Sequence, residues 1–299
     1  MFSDRLIESI TNKNNPSILG LDPRPELIPD CIKAGLEDTF QGMGAAVLRF
    51  NRALIDSVED IIPAVKLQIA FYEALGIEGL KAYQETIKYA RSRDILVIGD
   101  IKRGDISSTA AAYKHAHLDG PFACDAVTLN PFLGYDAVLP FIKACEEQGK
   151  GVFILVKTSN PSSGDLQNMV VNGEYLYQHL GRMITEWGRN AVGDSGYSSV
   201  GAVVGATYPK EMAVLRGIMP KALFLVPGYG AQGGGGAEVA GAFNRDGLGA
   251  VINSSRAIMG AYLKTNKGPD VTLEEFRQAA YDEALRMKQD IMSALKRSL

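Results

Sequence analysis

A parallel (β/α)8 barrel is the fold this sequence predicts, and three observations predict it. Eight short β-rich segments recur along 299 residues, helical patterns separate them, and most segments are continuous apolar runs instead of alternating ones. Continuous runs suit parallel strands covered on both faces, and regular strand–helix alternation suits an α/β fold. Length alone suggests about two domains, but one such barrel commonly takes about 250 residues or more. No linker or shift in composition divides the chain, so a single barrel domain over residues 1–299 is expected. A doubly wound open sheet is the alternative. Against it, the first segment lacks a GxGxxG turn, and the glycine-rich loop follows the seventh.

The expected strands are Ile18–Asp22, Ala64–Gln68, Leu96–Lys102, Ala126–Asn130, Val152–Thr158, Gly201–Ala206, Leu223–Gly228 and Ala250–Ser254. Before the first, MFSDRLIESI reads as a short amphipathic helix, with charges where a signal peptide would need an apolar run. Helical stripes follow at Val47, Phe50, Leu54 and Val58, then at Leu80, Tyr83, Ile87 and Ala90. Val138, Ile142 and Cys145 make another, as do Leu176, Leu180, Met183 and Trp187. Pro209 suits the first turn of a helix carrying Met212 and Leu215. Residues Phe276, Ala280, Ala284, Met287, Ile291 and Leu295 mark a long closing helix over Leu273–Leu299. Two connections exceed the barrel minimum, Cys31–Gly44 and Ser159–Tyr175; the second is turn-rich and long enough for a cover or for mere ornament.

The chain is 46% hydrophobic and 22% charged with a net charge of −3, which gives no electrostatic reason to expect nucleic acid or an anionic membrane. Cys31, Cys124 and Cys145 are odd in number, widely spaced and without a CxxC pair, as reduced thiols would be. No run is long enough to span a bilayer. A soluble cytoplasmic protein is expected.

In a barrel, chemistry sits where strands end and βα loops begin. Charged residues gather at those points. Asp22 closes the first strand, Lys66 lies within the otherwise apolar AVKLQ, and LVIGDIKRGDISST runs from the buried Leu96 segment into Asp100, Lys102 and Asp105. Residues two apart in a strand share a face, so Asp100 and Lys102 point the same way, while Asp105 lies beyond the strand and approaches from another direction. Carboxylates and ammonium groups there are costly unless they pair or serve a site. A salt-bridged strand end is the bland reading; the convergence of two lysines and two aspartates on one mouth favours a site. Asn130 ends the fourth strand, and Lys157, Thr158 and Ser159 end the fifth; Lys157 can face either way.

The second constellation is VPGYGAQGGGG, Val226 to Gly236, with NSSRAIMG, Asn253 to Gly260. Backbone amides of a glycine-rich loop and an arginine after the eighth strand make a phosphate cradle, where barrels commonly place one. His115, His117 and His179 lie on helical stretches, as surface or second-layer residues. No HxH or HExxH spacing marks a strand end, although Asp22, Asp100 and Asp105 leave oxygen ligation of a metal open.

These motifs together resemble the orotidine 5'-phosphate decarboxylase family, in its longer-chain bacterial branch. The resemblance covers nearly the whole barrel: LDPRPELIP, VKLQIAFYE, DIKRGDISST, KTSNPSS, VPGYGAQGG and SSRAI. It implies cofactor-independent conversion of orotidine 5'-monophosphate to uridine 5'-monophosphate and CO2 by a homodimer, with no nucleic acid or membrane partner and no metal. Lys66, Asp100, Lys102 and Asp105 would form a charged catalytic tetrad, with Lys102 the proton donor to C6. Asp105 and Thr109 would come from the second subunit. Asp22 and Lys66 would hold ribose hydroxyls, Ser159 the pyrimidine, and Gln232 and Arg256 the phosphate, with Pro227 also against the substrate. The DxKxxD core is shared with sugar-phosphate relatives, which would normally want a divalent metal; a silent phosphate-binding barrel is a further rival. The insertion after the fifth strand departs from shorter members, which leaves any closing role for Gly164–Glu174 open.

Overall fold

The computed structural model describes residues 1–230, 234–265 and 267–298. Its barrel strands are β1 (Ser17–Leu21), β2 (Ala64–Gln68), β3 (Leu96–Arg103), β4 (Ala126–Leu129), β5 (Gly151–Lys157), β6 (Ser198–Val204), β7 (Ala222–Val226) and β8 (Ala250–Ser254). They close in the order β1-β8-β7-β6-β5-β4-β3-β2, each neighbouring pair parallel, so the open-sheet alternative falls. β2 and β8 coincide with the expected segments. β6 begins at Ser198 instead of Gly201, because its polar opening is satisfied internally: Ser198 Oγ donates to the Gly188 carbonyl at 2.9 Å.

Strand alternation sorts the core into two compartments. Leu19, Val65, Val97, Val127, Ile154, Ala202, Phe224 and Ile252 face outward, against the helices. Ile18, Ala64, Ile98, Ala126, Phe153, Val203, Leu223 and Val251 face inward and fill the bottom of the barrel. The N-terminal helix α1 (Phe2–Lys13) joins that inner cluster through Phe2, Leu6, Ile7 and Ile10. Phe2 meets Phe153 edge-on at 6.1 Å, and a Cβ on Gly151 would stand 2.2 Å from the Phe2 ring. The expected amphipathic helix therefore plugs the lower end.

The outer helices are α2 (Phe40–Val58), α3 (Gly76–Ser92), α4 (Ser107–Lys114), α5 (Tyr135–Gln148), α6 (Leu176–Trp187), α7 (Pro209–Ile218) and α8 (Leu273–Ser298). On α8 all six expected stripe residues are buried. On α6 the inward ridge is Tyr177, Gly181 and Ile184, one step round from the expected Leu176, Leu180, Met183 and Trp187, which are only half-buried. Gly181 explains the offset: it lets the helix approach Leu215 and Ile218 of α7, so a residue without a side chain occupies the contact line. The Ser159–Tyr175 connection holds a one-turn helix (Gly164–Gln167) and a hairpin of Val170–Val171 with Glu174–Tyr175.

Candidate active site

At the upper end of the barrel the inward positions turn from apolar to polar. Lys66 and Gln68 continue the inward face of β2 above Ala64; Asp100 and Lys102 continue that of β3 above Ile98; Thr128 lies above Ala126. With Leu155, Val203, Leu225 and Asn253 from the other strands they line a cavity of about 570 Å³, a size suited to a small molecule.

Asp100 is the hub. Its Oδ2 accepts from Lys66 Nζ at 3.0 Å and Gln68 Nε2 at 3.0 Å. Its Oδ1 accepts from Lys102 Nζ at 2.5 Å and Thr128 Oγ1 at 2.8 Å. Lys66 also reaches Asp22 Oδ1 at 3.5 Å. Asp100 and Lys66 are 7% and 4% exposed, so an unpaired charge here would be costly. Burial alone would raise the Asp100 carboxyl, but the Lys66 and Lys102 ammonium groups outweigh it and hold it far below the usual carboxylate range. Burial alone would lower Lys66; Asp100 and Asp22 outweigh it and hold the ammonium above its ordinary value.

Lys102 sits on strained backbone, with φ +47, where a side chain is disfavoured. The β3–β4 register shifts between Gly99 and Arg103, and the Lys102 N–H leaves the ladder to donate to Thr128 Oγ1 at 3.0 Å. Thr128 thus fixes both the Lys102 backbone and the carboxylate that holds its ammonium.

Four expected residues besides the Asp100 cluster line the same cavity: Asp22, Ser159, Pro227 and Arg256. Ser159 is brought in because Gly205, on the neighbouring strand's loop, has no side chain; a Cβ there would stand 2.8 Å from the Ser159 Cα. Gly20 serves Arg256 similarly, since a Cβ on it would collide with the Ser255 side chain. Gln232 lies outside the described residues.

Asp105 and Thr109 are not brought in by their own chain. Asp105 Oδ1 accepts from the Ile106 N–H at 2.8 Å, and Thr109 is exposed on the first turn of α4. Asn130 turns away too, accepting from the Phe132 N–H at 3.0 Å. Beside this loop Ile106, Phe132, Leu133 and Tyr135 are exposed, Phe132 by 77%. Lys157 is fully buried beneath the post-β5 loop, where its ammonium donates to Asn168 Oδ1 at 2.9 Å and Ser163 Oγ at 3.2 Å. It secures that loop from below. His117 is buried, and burial first, then Arg103, lowers it to about 4.

Sequence reasoning missed Gln68, Thr128, Arg24 and Gln167 as cavity residues. Strand alternation would have found Gln68, two beyond Lys66, and Thr128, two before Asn130.

The model of the orotidine 5'-phosphate decarboxylase / HUMPS family matches residues 18–268. A curated orotidine 5'-phosphate decarboxylase from Petrotoga mobilis is 44% identical across 98% of this chain and 99% of the relative. One from Clostridium kluyveri is 39% identical across 98% and 97%. Among solved structures, the OMP decarboxylase of Leishmania donovani superposes with a TM-score of 0.74 at 31% identity, covering 96% of this chain and 98% of that one.

Proposed function

The chain belongs to the orotidine 5'-phosphate decarboxylase / HUMPS family, and from that premise we propose that it converts orotidine 5'-monophosphate to uridine 5'-monophosphate and CO2 in pyrimidine biosynthesis. One observation carries the reading: a buried carboxylate, Asp100, holds the Lys102 ammonium at 2.5 Å in the lining of the cavity. The C6–carboxylate bond breaks and its electron pair stays in the ring plane on C6, where the π-system cannot delocalise it. A fixed ammonium is then the available form of stabilisation. Lys102 faces that pair and donates an Nζ proton to C6; water returns a proton to the lysine. No cofactor is needed for these steps. Asp100 keeps Lys102 in place and stands near the departing carboxylate.

Asp22 and Lys66 bind the ribose hydroxyls, Ser159 the pyrimidine, and Gln232 and Arg256 the phosphate, with Pro227 against the substrate. The acceleration required is of order 20 kcal/mol, and much of it is drawn from the remote phosphate. The working unit is a homodimer in which Asp105 and Thr109 complete the neighbour's site. The exposed apolar group Ile106, Phe132, Leu133 and Tyr135 beside Asp105 supports that assembly. The free thiols of Cys31, Cys124 and Cys145 suit a cytoplasmic setting.

The family also takes in sugar-phosphate enzymes, and the test separates them. Purified protein mixed with orotidine 5'-monophosphate and EDTA should lower the pyrimidine absorbance at the rate seen without EDTA. Loss of the activity on chelation, or none with either mixture, overturns the reading.

A further inference from the structure

Where β3 meets β4 the two strands fall out of step at the charged residues. Gly99 pairs with Val127 and Arg103 with Leu129, so Asp100, Ile101 and Lys102 together face a single residue of β4, Thr128. Extra residues on one strand make a bulge, which bends the strand and re-aims its side chains. Lys102 takes up φ +47 there, and its ammonium folds back onto the carboxylate two positions earlier, 2.5 Å from Asp100 Oδ1. Thr128 Oγ1 accepts from the Lys102 N–H at 3.0 Å and donates to Asp100 Oδ1 at 2.8 Å. The direction is fixed: an N–H only donates and an ionised carboxylate only accepts, so the one hydroxyl proton points at Asp100. A ring closes, from the Lys102 backbone through Thr128 to Asp100 and back through the Lys102 ammonium.

Thr128 is 1% exposed. A hydroxyl buried in an otherwise apolar strand is costly unless its hydrogen bonds are met, and valine would fill the strand without that demand. The Thr128 bonds are met by Asp100 and Lys102. We infer that Thr128 is a positioning residue for proton transfer, holding the β3 bulge in the shape that sets Lys102 Nζ where it protonates C6. This deepens the proposed decarboxylation and rests on it. In that step the electron pair left on C6 by departing CO2 takes a proton from Lys102 Nζ, while Thr128 keeps its own proton on Asp100. Without the hydroxyl the Lys102 N–H loses its partner, and nothing on β4 holds the disfavoured backbone. Relaxation toward an extended strand then carries the ammonium away from Asp100 Oδ1. Ribose and phosphate contacts need none of this, so the loss falls on kcat.

The experiment measures kcat and KM for orotidine 5'-monophosphate, calorimetric Kd for uridine 5'-monophosphate, and thermal unfolding. The variants are Thr128→Val, Thr128→Ala, Thr128→Ser and Lys102→Ala. Thr128→Val should lower kcat roughly 100-fold, the scale of a displacement of about 1 Å, while KM and Kd stay within about threefold. Where the valine variant does not fold, Thr128→Ala should show the same split. Thr128→Ser restores the hydroxyl on a less restricted side chain and should return kcat to within about fivefold of wild type. Unchanged kcat in a folded variant, a rise in KM and Kd in place of the fall in kcat, or a serine variant as slow as the valine one overturns the role. Lys102→Ala isolates the premise. If wild type does not decarboxylate the nucleotide, or Lys102→Ala is as fast as wild type, the site reading fails and this inference with it. If wild type is active, Lys102→Ala is inactive and Thr128→Val matches wild type, the role of Thr128 alone is wrong.

Discussion

At the β2–β3 end of the cavity Asp22, Lys66, Asp100 and Lys102 are all ion-paired within the fold, whereas at the β7–β8 end Arg256 has no carboxylate within 4.0 Å among the described residues. In the first group Lys66 and Asp100 are buried, Asp22 is half-buried and Lys102 is exposed; Arg256 is exposed as well, so what separates the two ends is pairing and not burial alone. On the proposed function, the difference would teach how one cavity divides its work. Charge needed when a carbanion forms would be set in advance, with its desolvation compensated by neighbours. Charge meant for a remote phosphate would be left unmatched, so that its interaction energy is released only when the ligand binds.

Lys102→Ala would break the contrast most severely. It should leave a folded protein whose turnover is reduced at least about 10,000-fold, the upper range for a general acid, because cation and proton donor vanish together. The mixed-dimer form of the experiment sharpens it. Lys102→Ala and Asp105→Ala proteins, unfolded together and refolded, should recover roughly a quarter of wild-type activity, since about half the dimers are mixed and each has one intact site. Absence of recovery, with mixed dimers demonstrated, would make Asp105 a residue of its own chain's site.

Arg256→Ala comes next. Its kcat/KM for orotidine 5'-monophosphate should fall by about 2–4 kcal/mol, the scale of a lost charge-assisted pair, and that for orotidine should hardly move. Its thermal stability should stay within about 0.5 kcal/mol of wild type, since the Arg256 side chain has no partner among the described residues to lose.

Lys66→Met tests the paired end through stability. Removing one member of the buried network should cost about 3 kcal/mol at neutral pH. The pH profile gives the sign. Asp100, held low in the fold, contributes stability in full above the free carboxylate range near 4 and loses it as pH falls through its depressed folded value. Lys66, held high, contributes in full below about 10.4 and loses it as pH rises through its elevated folded value. The wild-type contribution from this pair should therefore be flat between about pH 5 and 9, and Lys66→Met should move the acid limb toward neutrality. An unchanged acid limb in chemical unfolding would show that Lys66 does not set the charge of Asp100.

Much of this was legible because a barrel repeats one physical rule. Alternation placed Asp100 and Lys102 on one face, and apolar runs located each strand near its true position. Thr128 escaped notice because an uncharged residue in an apolar strand gives no energetic warning, although its hydroxyl braces the cluster. The ridge of α6 was misplaced because Gly181 contacts α7 without being hydrophobic. The bond from the Tyr229 hydroxyl to Asp290 Oδ2 on α8, 2.7 Å long, was beyond reach for a different reason: nothing near Asp290 in the sequence signals that it will meet Tyr229 across the fold. Asp105 and Thr109 were legible as a motif, yet a single chain does not bring them to Asp100.

The plug formed by α1 bears on the order in which the protein is assembled. The Ser3 N–H donates to Ser199 Oγ at 3.1 Å, across 196 positions, and Phe2 rests on Phe153 of β5. Residues 2–13 therefore leave the ribosome long before the strands that receive them. Until β5 and β6 emerge, Phe2, Leu6 and Ile10 have no complete pocket to fill, and closing so long a loop is slow. This amphipathic segment can therefore dock only after those strands have been made, which places the sealing of the barrel floor behind their synthesis.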